Sequence, residues 1–255
     1  TPPWTSWLGT FLDALYACSI LAINVNTGQL KWYFQNVPGD SWDYDTVAQL
    51  MLVDLTIKGK PRKVLMQANK NGFFYLIDRL SGEFIQAKPF AKVTWAAGLD
   101  EKTGRPIVHK DSMYTDTESI QLTPGPGGAH NWPPMSFNPT TGLVYIPGQS
   151  GAGFNYQVDP NFDYKPGQLN LGINVGGGGG GNQGKQGKNA PAAAESPEVA
   201  AARAAQQAKG KQAAPPKPNA VTRRTTPPSI GPDLTGNFLF AWDPVNQVEK
   251  RSEEH

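Results

Sequence analysis

A short pattern recurs along the chain and limits its folds more than any other feature. Leu21-Ala-Ile-Asn-Val-Asn-Thr-Gly-Gln-Leu-Lys-Trp32 reads as a strand, a polar residue, two variable positions, Thr-Gly and a second strand. Tyr75-Leu-Ile-Asp-Arg-Leu-Ser-Gly-Glu-Phe-Ile85 repeats it, and so does Met135-Ser-Phe-Asn-Pro-Thr-Thr-Gly-Leu-Val-Tyr145. Phe240-Ala-Trp-Asp-Pro-Val-Asn-Gln-Val248 is a degenerate fourth copy with Asn-Gln in place of Thr-Gly. Each copy predicts a hairpin in which Asn or Asp supports the turn and Gly takes the positive-φ position. The glycines at 28, 82 and 142 stand 54 and 60 residues apart, a spacing that belongs to propeller blades or β-solenoids.

The rest of the ordered-looking sequence agrees with an all-β chain. Apolar segments at 19–23, 30–34, 50–57, 63–67, 72–77, 143–146 and 237–242 are short and bounded by turn residues. From about Gly172 the composition changes to Gly, Ala, Pro and Lys, with little to bury. The expected organisation is therefore strand-rich structure over 1–171, a disordered low-complexity insertion over 172–230, and the start of a further blade over 231–255. Residues 182–228 hold eight Lys/Arg against Glu195 and Glu198, so the chain's net charge of +2 leaves the remainder near −4. Positive charge confined to one polar tract argues against a nucleic-acid binder.

One cysteine, Cys18, excludes an internal disulfide and a cysteine-based zinc site; it is read as a buried apolar residue in a strand. No apolar run approaches the length of a membrane span. The start, Thr-Pro-Pro-Trp, is neither a signal peptide nor an initiator Met, and the chain reads as a piece of a longer protein.

Two stretches look wrong for scaffold alone. Val37-Pro-Gly-Asp-Ser-Trp-Asp-Tyr-Asp45 sets three carboxylates, Asp40, Asp43 and Asp45, beside Trp42 and Tyr44. If extended, it projects Asp43 and Asp45 to one face, because side chains alternate along a strand. Paired carboxylates repel unless a cation lies between them or one keeps its proton, and all-oxygen ligation suits Ca²⁺ or a larger trivalent ion. The plainer reading is a solvated acidic turn. Gly125-Pro-Gly-Gly-Ala-His-Asn-Trp-Pro-Pro-Met135 is an irregular loop ending in an amide and an indole, the kind that builds ligand pockets on rigid scaffolds. Lys70 lies between the two stretches and precedes the apolar Phe73-Phe74.

Trp-Asp-Tyr-Asp at 42–45, Lys70-Asn-Gly-Phe-Phe-Tyr75 and Gly128-Ala-His-Asn-Trp-Pro133, in this order, resemble the pyrroloquinoline quinone (PQQ)-dependent alcohol dehydrogenases, which include the methanol and ethanol dehydrogenases. The likeness is dense over about residues 15–150 and looser over 231–248. It implies an eight-bladed β-propeller of which this chain holds an incomplete set of about four blades. It also implies oxidation of primary alcohols with hydride transfer to metal-bound PQQ, a cytochrome c-type electron acceptor and a periplasmic location. Asp43 matches the family's catalytic base and a metal ligand, and Lys70 the residue that hydrogen-bonds the quinone oxygens. Asn131 and Trp132 match the loop on the cofactor's other side. Asp45 matches the extra metal ligand of the lanthanide-using branch, with Ca²⁺ the alternative. Lys70, where lanthanide methanol dehydrogenases carry Arg, favours an ethanol-type substrate. The family's remaining metal ligands, stacking Trp and vicinal disulfide lie upstream of this chain's motifs, and no cytochrome Cys-x-x-Cys-His is present. The competing expectation is a non-catalytic propeller that presents a protein-binding surface.

Overall fold

A computed structural model describes residues 13–167, 170–173 and 222–250. The described residues are almost entirely strand and turn. β1 (Ser19–Ile23) pairs with β2 (Leu30–Gln35). β3 (Met51–Ile57), β4 (Lys60–Ala68), β5 (Phe73–Asp78) and β6 (Phe84–Pro89) form an antiparallel four-stranded meander in sequence order. β7 (Ala96–Leu99) and β8 (Pro106–Val108) make a short hairpin. β9 (Glu118–Leu122) lies between β12 (Phe154–Tyr156) and the parallel β13 (Thr222–Arg223). A second four-stranded sheet runs β10 (Ser136–Asn138), β11 (Leu143–Ser150), β14 (Gly236–Asp243) and β15 (Val248–Glu249).

The recurring turn is one structure made several times. Asn24 Oδ1 accepts the backbone N–H of Asn26 and Thr27, while the N–H of Gly28 returns to the Asn24 carbonyl at 2.8 Å. Asp78 does the same for Leu80, Ser81 and Gly82, and Asn138 for Thr140, Thr141 and Gly142. Asp243 does so for Val245, Asn246 and Gln247, and Gln247 takes φ +55° where the other copies have Gly. A fifth copy, Asp100-Glu-Lys-Thr-Gly104, joins β7 to β8 with the same bonds; the sequence reading passed over it. Asn24 in place of Asp leaves the turn unchanged, because both side chains offer the carbonyl-type oxygen that the motif uses.

The core follows from the period of two along β5. Phe73, Tyr75 and Ile77 face one apolar cluster with Phe34, Trp42, Tyr44 and Trp95. Phe74 and Leu76 face a second, with Met66, Val144, Phe240 and Trp242. β5 is therefore buried on both faces, as a strand must be when its sheet is stacked between two others. Full burial of each such side chain stabilises by roughly 1.5–3 kcal/mol.

Three expectations need correction. Residues 231–250 do not open a further blade: β14 pairs with β11 from Val144↔Trp242 to Ser150↔Gly236, completing a sheet begun before the insertion. The apolar face of β14 is satisfied there by Ile146 and Phe90 rather than by a new sheet. Residues 174–221 lie outside the described residues. Residues 222–230 are not a disordered continuation of the insertion: they stay largely exposed, but Thr222 and Arg223 pair with β9 and Ile230 exchanges backbone hydrogen bonds with Val93. Cys18 precedes β1 in a turn at φ +49°, half-buried, and its thiol donates to Asp40 (3.4 Å).

Candidate active site

The segment from Val37 to Asp45 crosses from β2 toward β3 as an irregular loop, so the condition of extended backbone for pairing its carboxylates on one face is not met. The cause is Asp40, whose carboxylate accepts the backbone N–H of Trp42 (3.0 Å) and of Tyr44 (2.9 Å). Asp43, between those amides, takes φ +67°, in the left-handed region that L-residues avoid. Alternation survives in another form. Trp42 and Tyr44 turn inward, 2% and 0% exposed, and pack at a tilt against Trp95, while Asp43 and Asp45 turn outward.

The inward side is tied down by polar atoms at the rings' edges. The Trp42 indole N–H donates to the Ser112 carbonyl (3.0 Å) and the Tyr44 hydroxyl to the Pro124 carbonyl (2.6 Å). The Tyr156 hydroxyl donates to the Trp42 carbonyl (2.9 Å), and Tyr114 to the Ser41 carbonyl. Buried aromatic rings whose polar tips all find partners make a stiff platform.

Lys70 rises from the tight turn after β4, where the Gly72 N–H bonds the Asn69 carbonyl (3.1 Å). Its side chain is only 5% exposed, and its ammonium meets two outward carboxylates. It donates to Asp43 Oδ2 at 3.4 Å and to Asp45 Oδ1. The trio carries a net −1. Burial pushes the Asp43 carboxyl up; Lys70 opposes that pull and the neighbouring Asp45 charge adds to it. Burial also pushes Asp40 up, against the two loop amides and the Cys18 thiol that bond its charged form.

The Gly125–Met135 loop packs directly on Lys70. Gly128, at φ +76°, lies so close that a Cβ there would sit 2.6 Å from Lys70 Cβ. The Ala129 N–H donates to the Lys70 carbonyl (2.9 Å), and Gln149 grips the Gly128 and Ala129 carbonyls. His130 is buried, with Nδ1 and Nε2 each 2.8 Å from a carbonyl oxygen, those of Ala68 and Pro133. Burial lowers its pKa, while the two carbonyls pull it up. Asn131 Nδ2 donates to the Gly127 carbonyl (3.0 Å), and its Oδ1 is buried with no partner among the described residues. Trp132 is 80% exposed and makes no ring–ring contact among the described residues.

Of the residues singled out in the sequence, Asp43, Asp45 and Lys70 are thus in direct contact. Asn131 is carried by a loop bonded to Lys70's backbone, and Trp132 points to solvent. The donor chemistry suits an oxygen-rich redox cofactor and a hard cation: outward carboxylates, a near-buried ammonium and an unpaired amide oxygen. Among the described residues no group of three or more His, Cys, Asp or Glu side chains converges, so Asp43 and Asp45 offer only part of a metal's coordination sphere. Sequence reasoning missed Asp40 and Tyr156 as supports of the loop. An Asp two residues ahead of Trp42 is a standard side-chain-to-backbone turn signal that could have found the first.

Stacked antiparallel sheets whose connecting loops bring two acids and a cation into contact define a propeller-type chain. Residues 10–103 match the PQQ family described as the glucose/ethanol/alcohol dehydrogenase beta-propeller domain, so the resemblance read from the motifs is shown. The chain is 56% identical over 141 residues to quinohemoprotein alcohol dehydrogenase ADH IIB of Pseudomonas putida, covering 55% of this chain and 20% of that protein. It is 43% identical over 164 residues to a 1-butanol dehydrogenase (cytochrome c) of Thauera butanivorans, covering 63% of this chain and 23% of that protein. The crystal structure of the Comamonas testosteroni quinohemoprotein alcohol dehydrogenase superposes with a TM-score of 0.64 at 34% identity, over 93% of this chain and 29% of that one. A europium-containing methanol dehydrogenase superposes at 0.55 and 35% identity, over 57% and 25%. The chain therefore spans about a fifth to a quarter of the length of the curated relatives named here.

Proposed function

We propose that this chain supplies part of the active site of a periplasmic quinoprotein dehydrogenase that oxidises primary alcohols to aldehydes and passes electrons to a cytochrome c-type acceptor. The observation that carries the reading is the Lys70 ammonium held between Asp43 and Asp45 on a rigid aromatic platform. PQQ, when bound with a metal ion, supplies the two-electron acceptor for hydride from the alcohol carbon. Asp43 takes the hydroxyl proton as that hydride leaves; its outward, partly desolvated carboxyl is suited to act as a base. Lys70 donates to the cofactor's oxygens, and Asn131 offers its amide from the facing loop. Asp43 and Asp45 contribute carboxylate oxygens to the cation. A second carboxylate favours a trivalent ion, a choice supported by the europium-containing neighbour.

The test is reconstitution of the purified metal-free full-length protein that contains this chain with PQQ and either Ca²⁺ or La³⁺, followed by dye-linked ethanol oxidation by wild type and Asp45→Ala. Turnover with La³⁺ alone, lost in the variant, supports both the dehydrogenase and the role of Asp45. Turnover with Ca²⁺ that survives the substitution keeps the dehydrogenase and removes the lanthanide assignment. Absence of PQQ binding and turnover with both ions would sink the proposal in favour of a protein-binding propeller.

A further inference from the structure

Asp40 is a carboxylate with an unusual allocation of its oxygens. Among the described residues it has no cationic partner. It bonds two backbone amides and the Cys18 thiol instead. The two amides belong to Trp42 and Tyr44, the residues on either side of Asp43. A carboxylate kept largely from solvent without a counter-charge is costly, and hydrogen bonds to its charged form are what make it tolerable. Those bonds bracket the one non-glycine residue of the loop that sits in the left-handed region. From the other side, the Tyr156 hydroxyl holds the Trp42 carbonyl. A strained backbone of this kind persists only where its surroundings over-determine it.

We propose that Asp40, steadied by Cys18 and aided by Tyr156, is the positioning residue for Asp43: it fixes the left-handed backbone that aims the Asp43 carboxylate at Lys70 without itself touching substrate or cofactor. The proposal rests on the reading of Asp43 as the base. Released from Asp40, the Asp43 backbone relaxes to negative φ and its side chain swings off the Lys70 axis. The groups that bind the cofactor, Lys70 and Asn131, stand on other elements and stay in place. The loss should therefore fall on the rate at saturation rather than on binding.

The experiment compares wild type, Asp40→Ala, Asp40→Asn and Tyr156→Phe, each loaded with PQQ and the metal that supports wild-type turnover. Two quantities are read: kcat and KM per bound PQQ, and hydrogen exchange of the amides at 42–45. In Asp40→Ala the expected result is a kcat lower by about 10²-fold at little-changed KM, with faster exchange at Trp42 and Tyr44. Asp40→Asn keeps one carbonyl-type acceptor and recovers part of both. Tyr156→Phe keeps its ring and shows a smaller effect of the same sign. Should Asp40→Ala fail to fold, the other two variants carry the test. Unchanged exchange in the Asp40 variants overturns the proposal, as does faster exchange with kcat per bound PQQ unaltered. Wild-type protein that binds PQQ but oxidises no alcohol sinks the reading of Asp43 as base and the inference with it. Normal wild-type turnover beside an unaffected Asp40 variant sinks the inference alone.

Discussion

The indole of Trp32 lies on the Gly82 turn so closely that a Cβ at Gly82 would fall 2.8 Å from the ring. Phe84 covers Gly104 in the same way, at 2.5 Å. An aromatic residue beside one turn thus packs on the glycine of the next, and the turn motif serves as a docking surface as well as a bend.

Gly82→Ala should destabilise the protein by about 3 kcal/mol or more, because it adds overlap with Trp32 to the cost of a positive φ. Gly142→Ala is the control: Gly142 has φ +71° and nothing within 4 Å of its Cβ position. It should lose only the left-handed cost, about 1–2 kcal/mol. Denaturant unfolding of both variants measures the difference, and equal losses would show that Trp32 yields freely.

Asp78→Asn tests the turn electrostatics. Burial works against the Asp78 carboxylate, but the Leu80 and Ser81 amides, the Ser81 hydroxyl and Arg62 hold it below its ordinary range. A group with a depressed folded pKa stabilises above its unfolded value, about 3.9, and loses that contribution as pH falls through the folded value. The turn itself survives as Asn, as at Asn24 and Asn138. The variant should therefore be less stable than wild type at pH 6, with the gap closing as pH drops below about 4. A gap independent of pH in thermal melts would contradict this.

Lys70→Met should move two properties in opposite directions. Removing the ammonium leaves Asp43 and Asp45 unneutralised, so lanthanide binding should tighten by about tenfold. Alcohol turnover should fall by about 10²-fold, because the donor proposed for the cofactor's oxygens is gone. Tb³⁺ luminescence excited through the nearby Trp and Tyr residues reads the first, and dye-linked assays read the second. Weaker Tb³⁺ binding would mean that the carboxylates need Lys70 to stay ordered.

Cys18 should be a poor nucleophile. Burial pushes its thiol up, and the Asp40 and Asp45 charges add to the effect. Iodoacetamide at pH 8 should alkylate it at least about tenfold more slowly than a free thiol. Rapid labelling of folded protein would show that the Cys18–Asp40 contact opens readily.

How far the sequence spoke can be judged residue by residue. The turns at Asn24, Asp78, Asn138 and Asp243 were legible because their chemistry is local, a side-chain oxygen capping amides two and three residues on. The turn at Asp100 has the same spelling but joins β7 and β8, four and three residues long, too short to register as strands. The pairing of β11 with β14 was illegible, since nothing in either strand names a partner so distant in the chain. At the site, Asp43, Asp45 and Lys70 were recognisable as residue types in order. The positive φ of Asp43 was not, because it is imposed by Asp40, Tyr156 and the packing of Trp42.

Ile173 and Thr222, the described residues on either side of positions 174–221, are anchored close to one another. Ile173 bridges to Val158, whose N–H bonds the Thr115 carbonyl, and the Thr222 N–H bonds the Thr117 carbonyl. For any flexible loop closed between two neighbouring anchors, each doubling of length adds only about 0.6 kcal/mol of closure entropy. Thr115 and Thr117 thus mark a place where extra chain length adds little to the cost of folding the sheets around it.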